Sequence, residues 1–499
     1  MTTLKALLSL LLLGSPLAIA GHALIPFPKE LKEDSGNFEW KEGTAIRATP
    51  AAAASVALLR EYFGPLVGEL SSEGPVVFEE DARLQGEAYE LEIQPREIVL
   101  RASGPGGWSP AIQTLRQLLL PPEKLATKPT AALSLPCVRI KDEPRFGWRG
   151  IMLDSTLHFY PKEDILKFID TMALYKFNVC HWHLTDDGGW RLQIPKYPKL
   201  TEVGAWREEK EGRYGGFYTQ DDAREIVKYA QARGITVVPE IDMPAHCMAA
   251  LAAYPELSVK GGPYKVQGKM ESPSDVMDVT KEEVYTFIDE VLGEVVEIFP
   301  SPFIHIGGDE VDQRYWKADA EVQAFMQANG LRNEDALQSH FIRRVEKIVS
   351  SKGRRMIGWE EIQYGGLAPG AAVMAWRKDG AYGLEATKSG ADVVMTPEHP
   401  CYFNLHEQNP LERVYAFEPV PKGMPASQAK HVIGLQGCNW TPHKPTIGDV
   451  EGQTYPRALA IAERAWSDAG KRDYEDFEKR VKVQLKCLEA LGVRYQEMK

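Results

Sequence analysis

The sequence lacks several features that mark common classes of protein. Its six cysteines include no Cys-x-x-Cys pair, so neither a zinc knuckle nor a thiol redox pair is expected. It has no excess of positive charge, because 58 Lys and Arg face 70 Asp and Glu, a net charge of −12. This balance argues against nucleic acid or an anionic membrane as the main partner. After the first twenty residues, no apolar run is long enough to span a bilayer.

The remaining composition is that of a soluble globular protein. The chain has 499 residues, of which 44% are hydrophobic and 26% charged, enough for a large core and more than one domain.

Residues 1–20 have a positive start at Lys5, an apolar run at 6–13 and the small-residue pattern Ala18-Ile19-Ala20. This pattern predicts a signal peptide and export, to the periplasm or the exterior. Most cysteines are expected to be free, because four lie in or beside apolar strand-like runs. The oligomeric state is left open.

Residues 21–145 are predicted to form a small α+β domain. Alternating apolar residues predict strands over 88–93 and 97–102. Helices are predicted over 51–63 and from Pro110 to Leu120, where Pro121 and Pro122 follow. No group of residues here suggests chemistry, so this domain is expected to pack against a larger one.

Residues 146–499 alternate between strand and helix patterns. Helix starts are marked by two expected capping boxes, Thr219 with Asp222 and Thr280 with Glu283. Eight strand-like runs occur, at 151–154, 178–184, 235–241, 303–306, 356–359, 372–376, 392–395 and 432–436. Eight parallel strands separated by helices over this length predict an α/β fold, a (β/α)8 TIM barrel with its chemistry at the carboxyl ends of the strands.

The fourth of these strands leads into two adjacent carboxylates. Phe303-Ile304-His305-Ile306 is followed by two glycines and then by Asp309 and Glu310. Successive side chains of an extended chain point in opposite directions, so the two acids cannot face one spot identically. Two different chemical roles are therefore expected.

Polar and aromatic residues follow the other strands as well. Trp359, Trp376 and Trp440 close three of them, and Tyr402 and Asn404 follow the seventh. Aromatic rings cover the apolar face of a pyranose, while carboxylates and amides hold its hydroxyls. This combination favours a sugar as the ligand.

Five motifs in order give the chain a resemblance to a known family. The motifs are Arg149-Gly150-x-x-Leu153-Asp154, His183-Leu184-Thr185-Asp186-Asp187 with Gly189-Trp190-Arg191, Pro239-Glu240-Ile241-Asp242-Met243-Pro244-Ala245-His246, His305-Ile306-Gly307-Gly308-Asp309-Glu310, and Gly434-Leu435-Gln436-Gly437-x-x-Trp440-Thr441. With these motifs the chain resembles a family 20 glycoside hydrolase, a β-N-acetylhexosaminidase, over nearly all of its mature length.

The resemblance implies a retaining mechanism in which the 2-acetamido oxygen of the substrate attacks the anomeric carbon and forms an oxazolinium. Glu310 is then the general acid and base, and Asp309 orients the acetamido group. Tyr402 donates to the acetamido oxygen, and Trp359, Trp376 and Trp440 wall its pocket. The implied partner is a glycan or glycoconjugate with terminal β-linked N-acetylhexosamine.

The resemblance also implies roles for residues around this pair. Arg149 and Asn404 are expected to bind sugar hydroxyls. Asp187 and His246 are expected in the binding site, where they tune Glu310, with Asp242 behind His246 and His183 in support.

Three positions depart from the family pattern. Pro442 stands where a hydroxyl-binding Glu is usual, Asn404 where Asp is common, and Leu157 where Arg is frequent. The Pro442 change leaves the preference between GlcNAc and GalNAc open, and the natural glycan and its linkage are not specified either.

Two other functions remain as alternatives. His181 and His183, with His246 and Asp309, could form the zinc site of a metal-dependent barrel hydrolase. Core or supporting histidines are favoured instead, so no metal or cofactor is expected. A lacto-N-biosidase-type enzyme would release a disaccharide rather than one sugar. A carbohydrate-binding protein without turnover would lack the acid, and Glu310 is present.

Overall fold

The computed structural model describes residues 23–119, 132–268 and 275–498. The predicted signal peptide and the end of the helix predicted to reach Leu120 lie outside these ranges. None of the helices within them combines the length and the apolar character that crossing a membrane requires.

The N-terminal unit is built on one mixed sheet. Its first strand, Glu30–Trp40, pairs antiparallel with its last, Leu133–Asp142. The other strands are Thr44–Arg47, Val67–Leu70, Val76–Glu80, Tyr89–Gln94 and Glu97–Ala102. Helices Ala53–Phe63 and Pro105–Gln117 share an apolar core with this sheet. The predicted small α+β domain is therefore present ahead of the barrel.

The second helix of this unit begins five residues before the predicted start at Pro110. It runs from Pro105 to Gln117 with Pro110 inside it. A side chain at Gly107 would lie 2.4 Å from the Ala88 carbonyl oxygen, so glycine lets the first turn approach the sheet. Burial of this turn outweighs the weak helix preference of glycine and proline, which the sequence pattern alone could not reveal.

A closed barrel of eight parallel strands forms the larger unit. The eighth strand pairs with the first, Gly434 opposite Trp148 and Asn439 opposite Leu153, which closes the ring. In chain order the strands are Trp148–Asp154, Val179–His183, Thr236–Glu240, Phe303–His305, Arg355–Trp359, Ala372–Ala375, Val393–Met395 and Val432–Asn439. Each corresponds to one predicted strand, and the TIM-barrel prediction is confirmed.

Helices surround this barrel. The main ones are Lys162–Leu174, Gln220–Ala232, Glu282–Ile298, Glu334–Ser351, Arg457–Trp466 and Tyr474–Ala490. Shorter ones are Lys199–Glu202, Met248–Ala253, Arg314–Ala318, Ala320–Ala328, Ala381–Leu384, Glu398–Cys401, Leu411–Ala416, Ala426–Ala429 and Ile447–Thr454.

Only one of the two predicted capping boxes forms. Thr219 caps its helix and exchanges hydrogen bonds with Asp222. At the other, Lys281 is the N-cap residue, and the Thr280 hydroxyl donates to Asp278. The prediction for Thr280 is wrong because its hydroxyl forms a hydrogen bond with the Asp278 carboxylate instead of capping the helix.

The base of the barrel, at the amino ends of its strands, is joined to the small unit by buried ion pairs. Lys176 Nζ lies 2.8 Å from Asp142 Oδ2 and donates to the Tyr89 hydroxyl at 2.9 Å. Arg149 pairs with Glu87. All six cysteines are buried and free, as predicted for most of them.

Candidate active site

A cavity of about 210 Å³ lies at the carboxyl ends of the barrel strands. Parallel barrels gather their functional groups at this end, because every strand delivers its following loop there. Acids, aromatic rings and two apolar side chains line the cavity: Asp186, Asp242, His246, Asp309, Glu310, Trp376, Glu398, Tyr402, Asn404, Leu405, Trp440 and Pro442.

Asp309 and Glu310 enter this cavity from a sharp turn rather than from an extended strand. The fourth strand ends at His305, and Gly307 and Gly308 follow with φ of 63° and 94°. A Cβ on Gly307 would lie 1.6 Å from an Asp242 oxygen, so only glycine lets Asp242 approach this closely. Asp242 accepts a hydrogen bond from Gly308 N at 3.3 Å. It therefore supports the turn. Asp242 was predicted to lie behind His246, but no hydrogen bond joins the two side chains.

The two acids differ in their surroundings. Asp309 is 8% exposed and its Oδ1 is buried without a hydrogen-bond partner, whereas the Glu310 side chain is 59% exposed. Burial raises the pKa of Asp309 well above its usual value, with Glu361 and Glu240 adding to the rise and His246 opposing it. The expectation of two different roles thus has a structural basis.

His246 lies between both acids. Its Nε2 is 3.5 Å from Glu310 Oε2 and 3.8 Å from Asp309 Oδ2. Burial by itself would lower the pKa of His246, but Asp186, Glu310 and Asp309 outweigh it and raise that pKa well above its ordinary value. The hydrogen bond from His246 in turn lowers the pKa of Glu310.

Asp186 lies closer to His246 than Asp187 does. Asp186 Oδ1 lies 3.2 Å from His246 Nδ1, and Asp186 lines the cavity. Asp187 Oδ2 is 3.9 Å from the same nitrogen, and its Oδ1 accepts the backbone N–H of Met248. The prediction placed Asp187 here because a run of two acids does not show which one faces inward. That choice is made by the short hairpin that pairs Thr185–Asp186 with Gly189–Trp190.

Glu240 is a buried residue whose role the sequence analysis did not predict. Its Oε2 lies 2.5 Å from His183 Nδ1, and its Oε1 accepts from Trp359 Nε1 at 2.9 Å. His183 Nε2 then lies 3.1 Å from Asp186 Oδ2. A continuous series of hydrogen-bonding groups thus runs from Glu240 through His183 and Asp186 to His246. The available signal was an acidic residue inside an apolar strand, which is costly unless it is paired.

The four residues of the alternative zinc site divide into two groups. His181 and His183 lie beside Glu240 in the barrel interior, with His181 Nε2 3.0 Å from Oε2. His246 and Asp309 lie in the cavity. By spacing alone, His181 with Glu240 and His305, or His246 with Asp309 and Glu310, could hold an ion. Glu240 already accepts from an indole N–H, which can only donate, so hydrogen bonding accounts for its position.

Three aromatic rings wall the cavity. Trp376 and Tyr402 are nearly parallel, with ring centroids 6.2 Å apart, and Trp440 lies 6.0 Å from Tyr402 at an angle of 59°. Trp376 Nε1 donates to Glu361 Oε2 at 3.0 Å, which fixes its ring. Trp359 lies deeper, 5.8 Å from Trp440, and does not line the cavity.

The remaining cavity wall carries the carboxylate of Glu398 and one amide, that of Asn404, beside apolar groups. Asn404 Oδ1 is buried and has no hydrogen-bond partner. Leu405 and Pro442 lie on the same wall. Leu157 is buried, and its Cδ1 lies 2.9 Å from where a Cβ of Gly188 would be. Thus neither Leu157 nor Pro442 supplies a charge for binding hydroxyls.

Arg149 lies at the opposite end of the barrel from the cavity. It is the second residue of the first strand, five residues before Asp154, or roughly 16 Å at the usual rise per residue. Its guanidinium binds Glu87 and the carbonyl oxygens of Lys176 and Phe146. The prediction that Arg149 binds sugar hydroxyls is wrong, because the strand directs this residue to the base.

Comparisons with known proteins agree with this architecture. Residues 146–469 match the catalytic domain of glycosyl hydrolase family 20, and residues 21–143 match domain 2 of the same family. A beta-hexosaminidase of Porphyromonas gingivalis is 40% identical over 501 residues, covering 95% of this chain and 64% of that longer relative. A beta-hexosaminidase of Akkermansia muciniphila is 35% identical over 415 residues, covering 80% of this chain and 83% of that protein.

Solved structures show the same likeness. The exo beta-N-acetylglucosaminidase of Vibrio harveyi, in complex with N-acetylglucosamine, superposes with a TM-score of 0.86 at 32% identity, covering 96% of this chain and 78% of that one. The Streptomyces coelicolor beta-N-acetylhexosaminidase gives a TM-score of 0.85 at 28% identity, covering 96% of this chain and 98% of that one. With both family models matched in order and well over half of the chain in the catalytic one, the protein belongs to glycosyl hydrolase family 20.

Proposed function

We propose that the protein is an exo-acting β-N-acetylhexosaminidase, which releases terminal β-linked GlcNAc or GalNAc from glycans with retention of configuration. The observation that carries the proposal is the pair Asp309 and Glu310, one buried and one exposed, in a single cavity walled by aromatic rings. The size of the cavity, about 210 Å³, suits one sugar ring rather than a chain.

The spacing of the acids supports retention. Oxygens of Asp309 and Glu310 lie within 4.8 Å of each other. Inverting glycosidases separate their carboxyl groups by about 6.5–9.5 Å to admit a water molecule between acid and sugar. The shorter spacing here differs from that of an inverting pair, and retention in the proposed reaction follows from attack by the acetamido oxygen of the substrate.

The buried acid is suited to hold an amide rather than to attack carbon. Asp309 Oδ1 is unpartnered in the cavity that Trp376, Tyr402 and Trp440 also line, where it can accept the N–H of a 2-acetamido group. The acetamido oxygen then attacks the anomeric carbon, and the carboxylate stabilises the positive charge that develops on the nitrogen.

The exposed acid is suited to proton transfer at the glycosidic oxygen. Glu310 lies at the edge of the cavity and contacts His246, which is held by Asp186. It donates a proton to the departing oxygen and later takes one from the water that opens the oxazolinium. The predicted signal peptide supports the further proposal that this reaction takes place after export.

Hydrolysis of nitrophenyl glycosides tests the proposal. We expect the wild-type protein to cleave the β-GlcNAc or β-GalNAc glycoside at least about 10³-fold faster than the β-glucoside, which lacks the internal nucleophile. NMR of the first product should show the β anomer. Glu310→Gln should lower the rate about 10²–10⁴-fold, and Glu385→Gln, at a surface ion pair with Lys388, should not.

Three results would contradict this function. They are equal rates on the glucoside and the N-acetylhexosaminide, an α-configured first product, and full activity of Glu310→Gln.

A further inference from the structure

One short backbone segment after the seventh strand carries two residues of the active cavity. Tyr402 and Asn404 line the cavity, and Phe403 between them is fully buried against the eighth strand. A Cβ on Gly437 would lie 2.3 Å from Phe403 Cζ, so the ring occupies space that only glycine leaves free. Phe403 N also donates to the Cys438 carbonyl oxygen at 2.9 Å. Whatever fixes Phe403 therefore fixes the two cavity residues on either side of it.

Arg457 holds this segment from the helical layer around the barrel. It is the first residue of helix Arg457–Trp466 and is 2% exposed. Its Nη2 donates to the Phe403 carbonyl oxygen at 2.7 Å and also to the Gln453 carbonyl oxygen. Its guanidinium carbon lies 5.6 Å from the centre of the Phe403 ring. One side chain outside the cavity thus contacts both the carbonyl and the ring of Phe403.

Gln453 extends this support to the end of the eighth strand. Its Nε2 donates to the Trp440 carbonyl oxygen at 3.0 Å and to Asn439 Oδ1 at 3.2 Å. Trp440 is one of the aromatic rings that line the active cavity. Through Gln453, the Arg457 guanidinium therefore joins the two backbone segments that carry Tyr402 and Trp440.

The charge of Arg457 has no carboxylate partner in the part of the chain that the structure describes. Its Nε and Nη1 are buried without hydrogen-bond partners, and burial lowers the pKa of Arg457 to about 10. By contrast, two other buried arginines of the outer helices form ion pairs, Arg464 with Glu418 and Arg480 with Glu463. A buried charge without a counter-charge is costly. Stability alone therefore does not account for an arginine at position 457.

We propose that Arg457 is a positioning residue of the reaction, which places the Tyr402 hydroxyl against the acetamido group by holding the Phe403 carbonyl. This inference rests on the proposed function, in which the acetamido oxygen must be aligned with the anomeric carbon before it attacks. A misplacement of about 1 Å caused by a change far from the reacting atoms can lower a rate about 10²-fold. Arg457 itself does not line the active cavity, so it acts through the segment that it holds.

The first test separates positioning from general stabilisation. For each variant, kcat and KM are measured on nitrophenyl β-GlcNAc and corrected for the folded fraction, which circular dichroism gives. Arg457→Ala should lower kcat about 10–100-fold and change KM less, because alignment matters most in the transition state. Arg457→Lys keeps a donor for the Phe403 carbonyl and should recover part of kcat.

Arg464→Ala is the matched control for these variants. Arg464 lies on the same helix and is similarly buried, but it contacts Glu418 and the Phe417 carbonyl oxygen. Its loss should destabilise the fold and leave kcat per folded molecule within about twofold of the wild type. An equal loss of kcat in Arg464→Ala and Arg457→Ala would overturn the positioning role.

Chemical rescue provides a second measurement. Arg457 lines a separate cavity of about 270 Å³, which gives a small cation access to the space left in Arg457→Ala. Ethylguanidinium replaces the atoms that this substitution removes, and at millimolar concentration it should raise kcat about tenfold. It should not raise the kcat of Arg464→Ala. Should Arg457→Ala fail to fold, Arg457→Lys and the following cycle decide the question.

A double-mutant cycle asks whether Arg457 acts through Tyr402. Arg457→Lys should lower kcat clearly in the wild-type background but less than twofold in Tyr402→Phe, which has no hydroxyl to place. The same fold loss in both backgrounds, or wild-type kcat in both Arg457 variants, would overturn the inference while hydrolysis continued. Failure of the wild-type protein to release any N-acetylhexosamine would instead overturn the proposed function.

Discussion

Both ends of the barrel bury polar and charged side chains, but these side chains have hydrogen-bond and ion-pair partners at the base and partly lack them at the mouth. At the base, Lys176 contacts both Asp142 and Tyr89, and Arg149 is bound by Glu87 and backbone carbonyls. At the mouth, Asp309 Oδ1 and Asn404 Oδ1 are buried without hydrogen-bond partners. Buried polar atoms nearly always have partners, so those left unpaired next to a cavity indicate where a ligand completes the structure. Charges at the base stabilise the fold, and charges at the mouth are available for chemistry.

The largest expected effect comes from disrupting the buried ion pair at the base of the barrel. Lys176→Met removes the cation from Asp142 and leaves a buried carboxylate less well compensated. We expect the free energy of unfolding to fall by about 3–5 kcal/mol, measured by urea denaturation. Activity per folded molecule should remain within about twofold, because the base is remote from the cavity. Adding Asp142→Asn should recover part of the stability. A large loss of kcat in Lys176→Met at unchanged stability would contradict the view that charges at the base stabilise the fold and charges at the mouth serve the reaction.

The second largest expected effect comes from removing the Asp309 carboxylate from the cavity at the mouth of the barrel. Asp309→Asn keeps the shape of the side chain but removes the charge that, in the proposed reaction, stabilises the oxazolinium. We expect kcat to fall about 10²–10³-fold with little change in the unfolding midpoint. Asn404→Ala is the comparison within the same cavity, and it should mainly raise KM for sugars with free hydroxyls. An Asp309→Asn enzyme with wild-type kcat would show that this carboxylate does not act in the reaction.

A smaller effect concerns the pH dependence of the rate. Glu310 must carry a proton to act as the acid, so activity should fall as the pH rises through its pKa. His246 lowers the pKa of Glu310, and removing that neighbour raises it. His246→Asn should therefore move the alkaline limb of the kcat/KM profile to higher pH, besides lowering the rate. The matched control is His431→Asn at the base, where His431 pairs with Asp392, and its profile should match the wild type. A limb that moves to lower pH would contradict the coupling.

The smallest expected effect is that of a chelator. His181 and His183 lie at hydrogen-bond distance from Glu240, and no step of the proposed reaction requires an ion. Dialysis against EDTA should leave kcat within experimental error. Activity that is lost and then restored by zinc would favour the metal-dependent alternative.

Periodicity was sufficient to predict the barrel, because each strand and helix carries its own pattern of apolar residues. The site was harder to predict, since it depends on which way individual side chains turn. Asp186 and Asp187 are chemically identical neighbours, and a two-residue strand decides which of them lies closer to His246. Arg149 lies in a motif with Asp154, yet one strand carries them to opposite ends of the barrel. The role of Glu240 could not be predicted from its own strand, because it depends on three histidines that come from two other strands.

Trp466 adds a consequence for how the two units can be separated. It follows the last barrel strand in sequence, yet it belongs to the apolar core of the N-terminal unit, and its indole donates to Asp142 at 2.8 Å. Truncation near residue 145 would uncover this ring together with Lys176 and Arg149. We therefore expect a fragment that begins near residue 146 to be less stable than the full chain, because it would lack the partners of these three side chains.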